Sequence, residues 1–224
     1  MKHAVPVLSF LALACLSSLP AAEGPRFTVE TDVTAAPECQ SFADKSKVLC
    51  EEWYPKINEI LFSKDRPLPT EKVRVVFEPM KGVAHTSKAV IHVSAEWVTK
   101  KKPDDYGMVI HELTHVVQDY QNHVKGEDGW LTEGIADYIR HKYFENDITK
   151  LRVKPEGSSY KQGYTTAAAF LNWLEANKCP DLVHKLNAAL HDGAYSNAMF
   201  KDLCGATLEG LWKDFVNAQR GQPR

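Results

Sequence analysis

The 224 residues carry 27 Lys and Arg against 29 Asp and Glu, a formal net charge of −2, with 44% hydrophobic and 25% charged residues. The chain is long enough to bury a substantial core, in the balance typical of a soluble globular protein. Near-neutrality lacks the Lys and Arg excess that nucleic acid or an anionic membrane surface demands, so neither is expected as a partner.

Residues 1–22 read as a secretory signal peptide. Lys2 and His3 precede an apolar run from Ala4 to Leu16, too short to span a bilayer, and a small-residue exit follows, with cleavage expected near Ala21 or Ala22. Leu13-Ala14-Cys15 offers a rival reading as a loose bacterial lipoprotein box, with a lipid anchor at Cys15. No later apolar stretch approaches the roughly 20 residues of a membrane span. The expectation is a secreted or extracytoplasmic protein in which residues 23–224 form one domain, a monomer.

Arg26 to Val33 alternates like a strand. Cys39 to Phe62 places Phe42, Val48, Leu49, Trp53, Ile57, Ile60 and Leu61 at roughly helical spacing, which predicts a helix interrupted near Pro55. Lys72 to Glu78 (KVRVVFE) and Ala89 to Val93 (AVIHV) read as strands. Lys100 to Asp105, with the only basic run, reads as a solvated loop. Helical patterns follow at Tyr106 to Gln121, Trp130 to Phe144, Tyr160 to Asn177, Asp181 to His191 and Thr207 to Ala218. Strands first and helices after predict an α+β fold.

Four cysteines follow the signal segment: Cys39, Cys50, Cys179 and Cys204. An even number in an exported chain favours disulfides. Of the three pairings, Cys39–Cys50 with Cys179–Cys204 is preferred because each closes a local loop.

His111-Glu112-Leu113-Thr114-His115 is an HExxH sequence on a predicted helix. Residues i and i+4 share a face, so His111 and His115 can hold one Zn²⁺ while Glu112 projects beside it as general base. A catalytic zinc needs a third protein ligand and an open position. The metzincin pattern would put Gly and His where Gln118 and Gln121 stand, and His123 lies two residues too far along. The carboxylate alternative is met by WLTEGIADY, Trp130 to Tyr138, in which Glu133 follows His115 by 18 positions. Asp137, one turn after Glu133, is placed to accept the free ring N–H of a ligating histidine. Asp137 as the third ligand in place of Glu133 stays open.

With these residues in hand, the chain resembles the plant-type basic secretory protein family, a group of zincin-like peptidases. The points of likeness are GVAHTSKAVIHVSAEWV (Gly82 to Val98), VIHELTHVVQ (Val109 to Gln118), LTEGIADYIR (Leu131 to Arg140), QGYTTAAAFLNWLE (Gln162 to Glu175) and LHDGAYSNAMFKDLCGATLEGLWKDF (Leu190 to Phe215). WLTEGIADY is also similar to the third-ligand helix of aminopeptidase-N-like gluzincins, which have one more residue between the second His and the Glu. The resemblance implies a zincin-like fold, with a small N-terminal twisted sheet, an active-site helix and a helical C-terminal half. It further implies hydrolysis of a protein or peptide substrate by an endopeptidase. The family is called basic and this chain is slightly acidic, so no property that depends on positive charge carries over.

Zincins commonly place a Tyr or His opposite the metal to donate a hydrogen bond to the tetrahedral intermediate. The segment Ser159 to Thr165 offers Tyr160 and Tyr164, with Tyr164 preferred. Ala89 to Ser94 precedes the active-site helix as the edge strand of a zincin does, and such a strand can bind an extended peptide through its main chain. His92 on it reads as an ordinary packed or exposed histidine. An extracellular binding or defence protein that holds zinc with little turnover is the competing function. The intact HExxH favours the peptidase, because a binder has no use for Glu112.

Overall fold

The computed structural model describes residues 27–120, 128–154 and 156–220. The expected signal peptide with Cys15, and His123, lie outside the described residues. Four strands make one mixed sheet: β1 (Thr28–Asp32), β2 (Lys72–Glu78), β3 (Ala84–Ser87) and β4 (Val90–Ser94). Their spatial order is β1-β2-β4-β3, with β1, β2 and β4 mutually parallel and β3 antiparallel to β4. In β2 the period-two pattern of the sequence is realised directly: Val73, Val75 and Phe77 are buried while Lys72 and Arg74 are exposed. The outer face carries the ion pairs Lys72–Glu30, at 2.6 Å, and Arg74–Asp32, at 3.3 Å. Both are solvated and contribute at most about 1 kcal/mol each. Stability therefore comes from the covered face.

Helix α1 (Gln40–Leu61) packs against β1 and β2. Phe42, Ser46, Cys50, Tyr54, Ile57 and Leu61 recur every three or four residues and are buried, a single stripe facing inward. The expected interruption at Pro55 does not occur. Proline removes one helical N–H, but Tyr54, Ile57 and Leu61 hold both sides of it in the core. The Tyr54 hydroxyl also bridges the N–H and carbonyl of Thr70, 3.1 Å from each.

Helix α2 (Tyr106–Gln118) is buried along almost its whole length. Asp105 caps it by accepting the Met108 N–H at 3.2 Å, and Asp119, at φ 36°, turns the chain away at its C-terminal end. Helix α3 (Gly129–Tyr138) lies against α2 and runs into a π-helical turn at Ile139–Phe144. Helix α4 (Tyr164–Asn177) packs so closely on α3 that a Cβ at Gly134 would stand 2.6 Å from the Ala167 Cβ. Helices α5 (Leu182–His191), α6 (Ala198–Cys204) and α7 (Leu208–Arg220) complete the C-terminal half. The α+β organisation, with a small sheet followed by a helical half, is the one expected from the sequence.

Several details differ from expectation. The strand at the sheet edge beside α2 is β3, not the segment Ala89 to Ser94, which becomes the interior strand β4. The predicted helix from Tyr160 to Asn177 is broken at Gly163, which has φ 68° and ψ −158°, a region open in practice to glycine alone. Tyr160 lies before that break and Tyr164 after it. Of the two expected disulfides, Cys179–Cys204 is present, with Cα atoms 5.1 Å apart. Cys39 and Cys50 are free and buried. Cys39 immediately precedes α1 and Cys50 lies within it, so eleven residues of helical rise, roughly 16 Å, separate them. A disulfide tolerates at most about 7 Å between Cα atoms.

Candidate metal centre

Two neighbouring helices deliver three ligand-type atoms to one point. His111 and His115 project from α2 one turn apart, and their Nε2 atoms are 3.2 Å from each other. Glu133, on α3, brings its Oε2 to 3.1 Å from the first and 3.5 Å from the second. Among the described residues, these three form the group of His, Cys, Asp and Glu side chains with the spacing of a metal site. The spacing fits zinc. A tetrahedral ion bonded at about 2.0–2.1 Å sets its ligand atoms roughly 3.3 Å apart. Two imidazoles and a carboxylate also leave one position open, the donor set of a catalytic rather than a structural zinc.

Each histidine is oriented from behind. His111 Nδ1 lies 2.7 Å from Asp137 Oδ1, and because a carboxylate can only accept, that nitrogen carries the hydrogen. Asp137 is held in turn by Thr165, whose hydroxyl donates to Oδ2 at 2.9 Å. Asp137 thus faces the ring edge turned away from the three-atom cluster, and Glu133 occupies the convergent position. His115 Nδ1 is 2.7 Å from Gln118 Oε1, while the Gln118 amide donates to the Thr132 carbonyl at 3.1 Å, which fixes the oxygen toward the imidazole.

Without a metal, the cluster holds itself together by charge. Burial works against a charge on His111, but its hydrogen bonds to Asp137 and Glu133, with the charges of Asp137 and Glu112, raise its pKa to about 9. Burial likewise opposes ionisation of Glu133, yet the hydrogen bonds and charges of His111 and His115 hold its carboxyl far below the usual range. Asp137 is lowered in the same way, mainly by His111 against the cost of burial. The carboxylates stay ionised at any physiological pH.

Glu112 is buried and opens onto the same cleft, of about 960 Å³, that contains the three ligand-type residues. Thr86 on β3 reaches across to it, with its hydroxyl 2.7 Å from Glu112 Oε2. Tyr164 stands at the mouth, 55% exposed, its ring stacked on His111 at 5.9 Å. Its φ of 47° is a left-handed value unusual for a bulky residue. Together with Gly163, this turn lifts the ring over the cluster. The charge of Glu133, then burial, then Glu112 and Asp137 raise the phenol pKa, so Tyr164 keeps its proton.

Tyr160 does not share this position. It is 6% exposed and packs edge-on against Trp130 and Trp212, an aromatic core residue rather than a cleft residue. His92 is likewise outside the cluster, stacked on His85 and 2.8 Å from Glu78 Oε1. No sequence motif singles out Thr86, Gln118 or Thr165 for the contacts they make here. Gln118 stands three positions after His115, within reach on the same helix, a spacing that carried a usable signal. Thr86 had none, because it meets Glu112 only through tertiary packing.

The sheet, the buried HExxH helix and the carboxylate helix define a zincin-like metallopeptidase fold. It is shared with an M1 zinc metallopeptidase from Deinococcus radiodurans, at a TM-score of 0.52 and 16% identity over 78% of this chain and 45% of that one. A mutant M1 zinc metallopeptidase from the same organism, bound to a Tyr-Ser-Ala substrate, matches 76% of this chain and 44% of its own at 16% identity, with a TM-score of only 0.39. The chain spans less than half the length of these structures. No curated protein sequence matches it. A family profile matches residues 29–215, and the chain belongs to that family, the peptidases of plants and bacteria.

Proposed function

We propose that this member of the peptidase family is an exported zinc endopeptidase. The observation that carries the reading is the convergence of His111 Nε2, His115 Nε2 and Glu133 Oε2 within 3.1–3.5 Å of one another, beside Glu112. His111, His115 and Glu133 hold the ion, and Asp137 and Gln118 fix the two imidazoles. When bound, zinc supplies a Lewis acid that polarises the scissile carbonyl and acidifies a water.

The chain's own groups do the rest. Glu112 accepts a proton from the attacking water and returns it to the leaving amine. Tyr164 donates its phenolic hydrogen to the oxygen that gains charge, from a ring already held over His111. The open edge of β3 lines the cleft, and its main-chain groups offer an extended peptide a strand to pair with. A cleft bounded by a strand edge accepts the middle of a chain as readily as its end, which favours internal cleavage. Export rests on the signal-like residues 1–22, and the Cys179–Cys204 bond suits an oxidising compartment.

The test is casein digestion by the purified protein, with and without a chelator, alongside Glu112→Ala. Loss of digestion in both the chelated and substituted samples is expected. Equal digestion by wild type and Glu112→Ala overturns the reading, and absence of digestion by a zinc-loaded wild type leaves a zinc-holding binding protein.

A further inference from the structure

We propose that Thr86 is the positioning residue of the general base: its hydroxyl, delivered by the edge strand β3, holds the Glu112 carboxylate in its working orientation. The inference rests on the peptidase reading above and adds to it a residue from outside both metal-binding helices.

The geometry is specific. Thr86 Oγ1 lies 2.7 Å from Glu112 Oε2 and 2.9 Å from the Glu112 main-chain carbonyl. A threonine hydroxyl has one hydrogen to donate, and the carboxylate is the stronger acceptor, so the hydrogen points to Oε2. A hydrogen bond to an ionised partner is roughly twice as strong as a neutral one. It fixes one carboxylate oxygen and leaves the other free to meet the water. The contact outlasts the proton transfer: with the proton on the other oxygen, Oε2 is a carbonyl oxygen that still accepts the Thr86 hydrogen.

The register explains why this residue and not a neighbour makes the contact. In β3, Ala84 and Thr86 pair with Val93 and Ile91, whose side chains face the core. Thr86 therefore points to the same side, toward α2, while His85 and Ser87 point to the other. Thr86 also belongs to the strand that borders the cleft, so the element offered to substrate is the one that steadies the base. The β-branched side chain has few rotamers and costs little entropy to hold there.

The experiment compares wild type, Thr86→Val and Thr86→Ser for zinc content, thermal stability, kcat and KM. Valine keeps the shape and the strand preference but removes the hydroxyl, whereas serine restores it. Thr86→Val is expected to retain its zinc and KM and to lose about 10- to 100-fold in kcat, the range a charged hydrogen bond supplies. Thr86→Ser should stay within about threefold of wild type. In a Glu112→Ala background, Thr86→Val should change the residual rate by less than twofold, because the group it serves is gone. Unchanged kcat in Thr86→Val overturns the proposal while Glu112→Ala still reports on the peptidase reading itself. Loss of zinc or stability in step with kcat, or an equal rate loss in both backgrounds, overturns it too, since the hydroxyl would then serve the fold.

Discussion

Asp137 and Glu133 meet opposite edges of one imidazole: Asp137 Oδ1 is 2.7 Å from Nδ1 of His111, and Glu133 Oε2 is 3.1 Å from its Nε2. Both carboxylates come from α3, one turn apart, so a single helix supplies the proposed third ligand and the group that orients the first. Asp137→Ala should therefore weaken zinc without abolishing the site. A fall of about 10- to 100-fold in affinity is expected, measured by competition with a chelator of known affinity, and one zinc should still bind at saturation.

Zinc must displace the proton that His111 holds in the metal-free protein. With the His111 pKa raised to about 9, zinc binding at neutral pH releases close to one proton from this ring, and affinity climbs with pH until about 9. The metal-free fold responds in the opposite sense. A raised folded-state pKa contributes stability fully below the unfolded value of about 6.5, and that contribution is lost as pH rises through about 9. The gap in Tm between zinc-loaded and metal-free protein should widen from pH 6.5 to 9, and calorimetric titration in buffers of different ionisation enthalpy should count the proton.

The close approach of α3 and α4 depends on Gly134, where an added Cβ would meet the Ala167 Cβ at 2.6 Å. Gly134→Ala should force the helices apart at a cost of about 1–3 kcal/mol. Thermal unfolding should show a drop in Tm of roughly 5 °C for a chain of this size. Because Glu133 precedes this residue and Tyr164 opens α4, zinc affinity should fall as well.

The Cys179–Cys204 bond ties the connection just after α4 to the last residue of α6, 25 positions along the chain. Removing it as the double serine variant should destabilise the protein by about 2–4 kcal/mol, read as a lower Tm. The proposed ligands lie on α2 and α3, so zinc stoichiometry should remain unchanged.

Local chemistry was legible in the sequence, and tertiary placement was not. HELTH fixes its own geometry because helical spacing alone brings His111 and His115 together, and WLTEGIADY does the same for Glu133 and Asp137. KVRVVFE showed its strand because one face needs Val73, Val75 and Phe77. The polar Ala84 to Ser87 gave no such pattern, since an edge strand bordering a cleft has little to bury on its open side, and so Thr86 stayed hidden. Tyr164 is the preferred tyrosine in the sequence, but only the glycine between the two separates them, sending Tyr160 to the core and Tyr164 to the cleft. Cys39 and Cys50 are near in sequence and three helical turns apart in space, which is why proximity misled there and succeeded for Cys179 and Cys204.

The central claim is that Glu133, with His111 and His115, holds one zinc ion. Its most direct measurement is the zinc content of purified wild type, His115→Ala, Glu133→Ala and Asp137→Ala after dialysis against trace metal. One zinc per chain in the wild type, almost none in His115→Ala and Glu133→Ala, and a partial load in Asp137→Ala is the expected result. Full zinc in Glu133→Ala, with loss confined to Asp137→Ala, would contradict it.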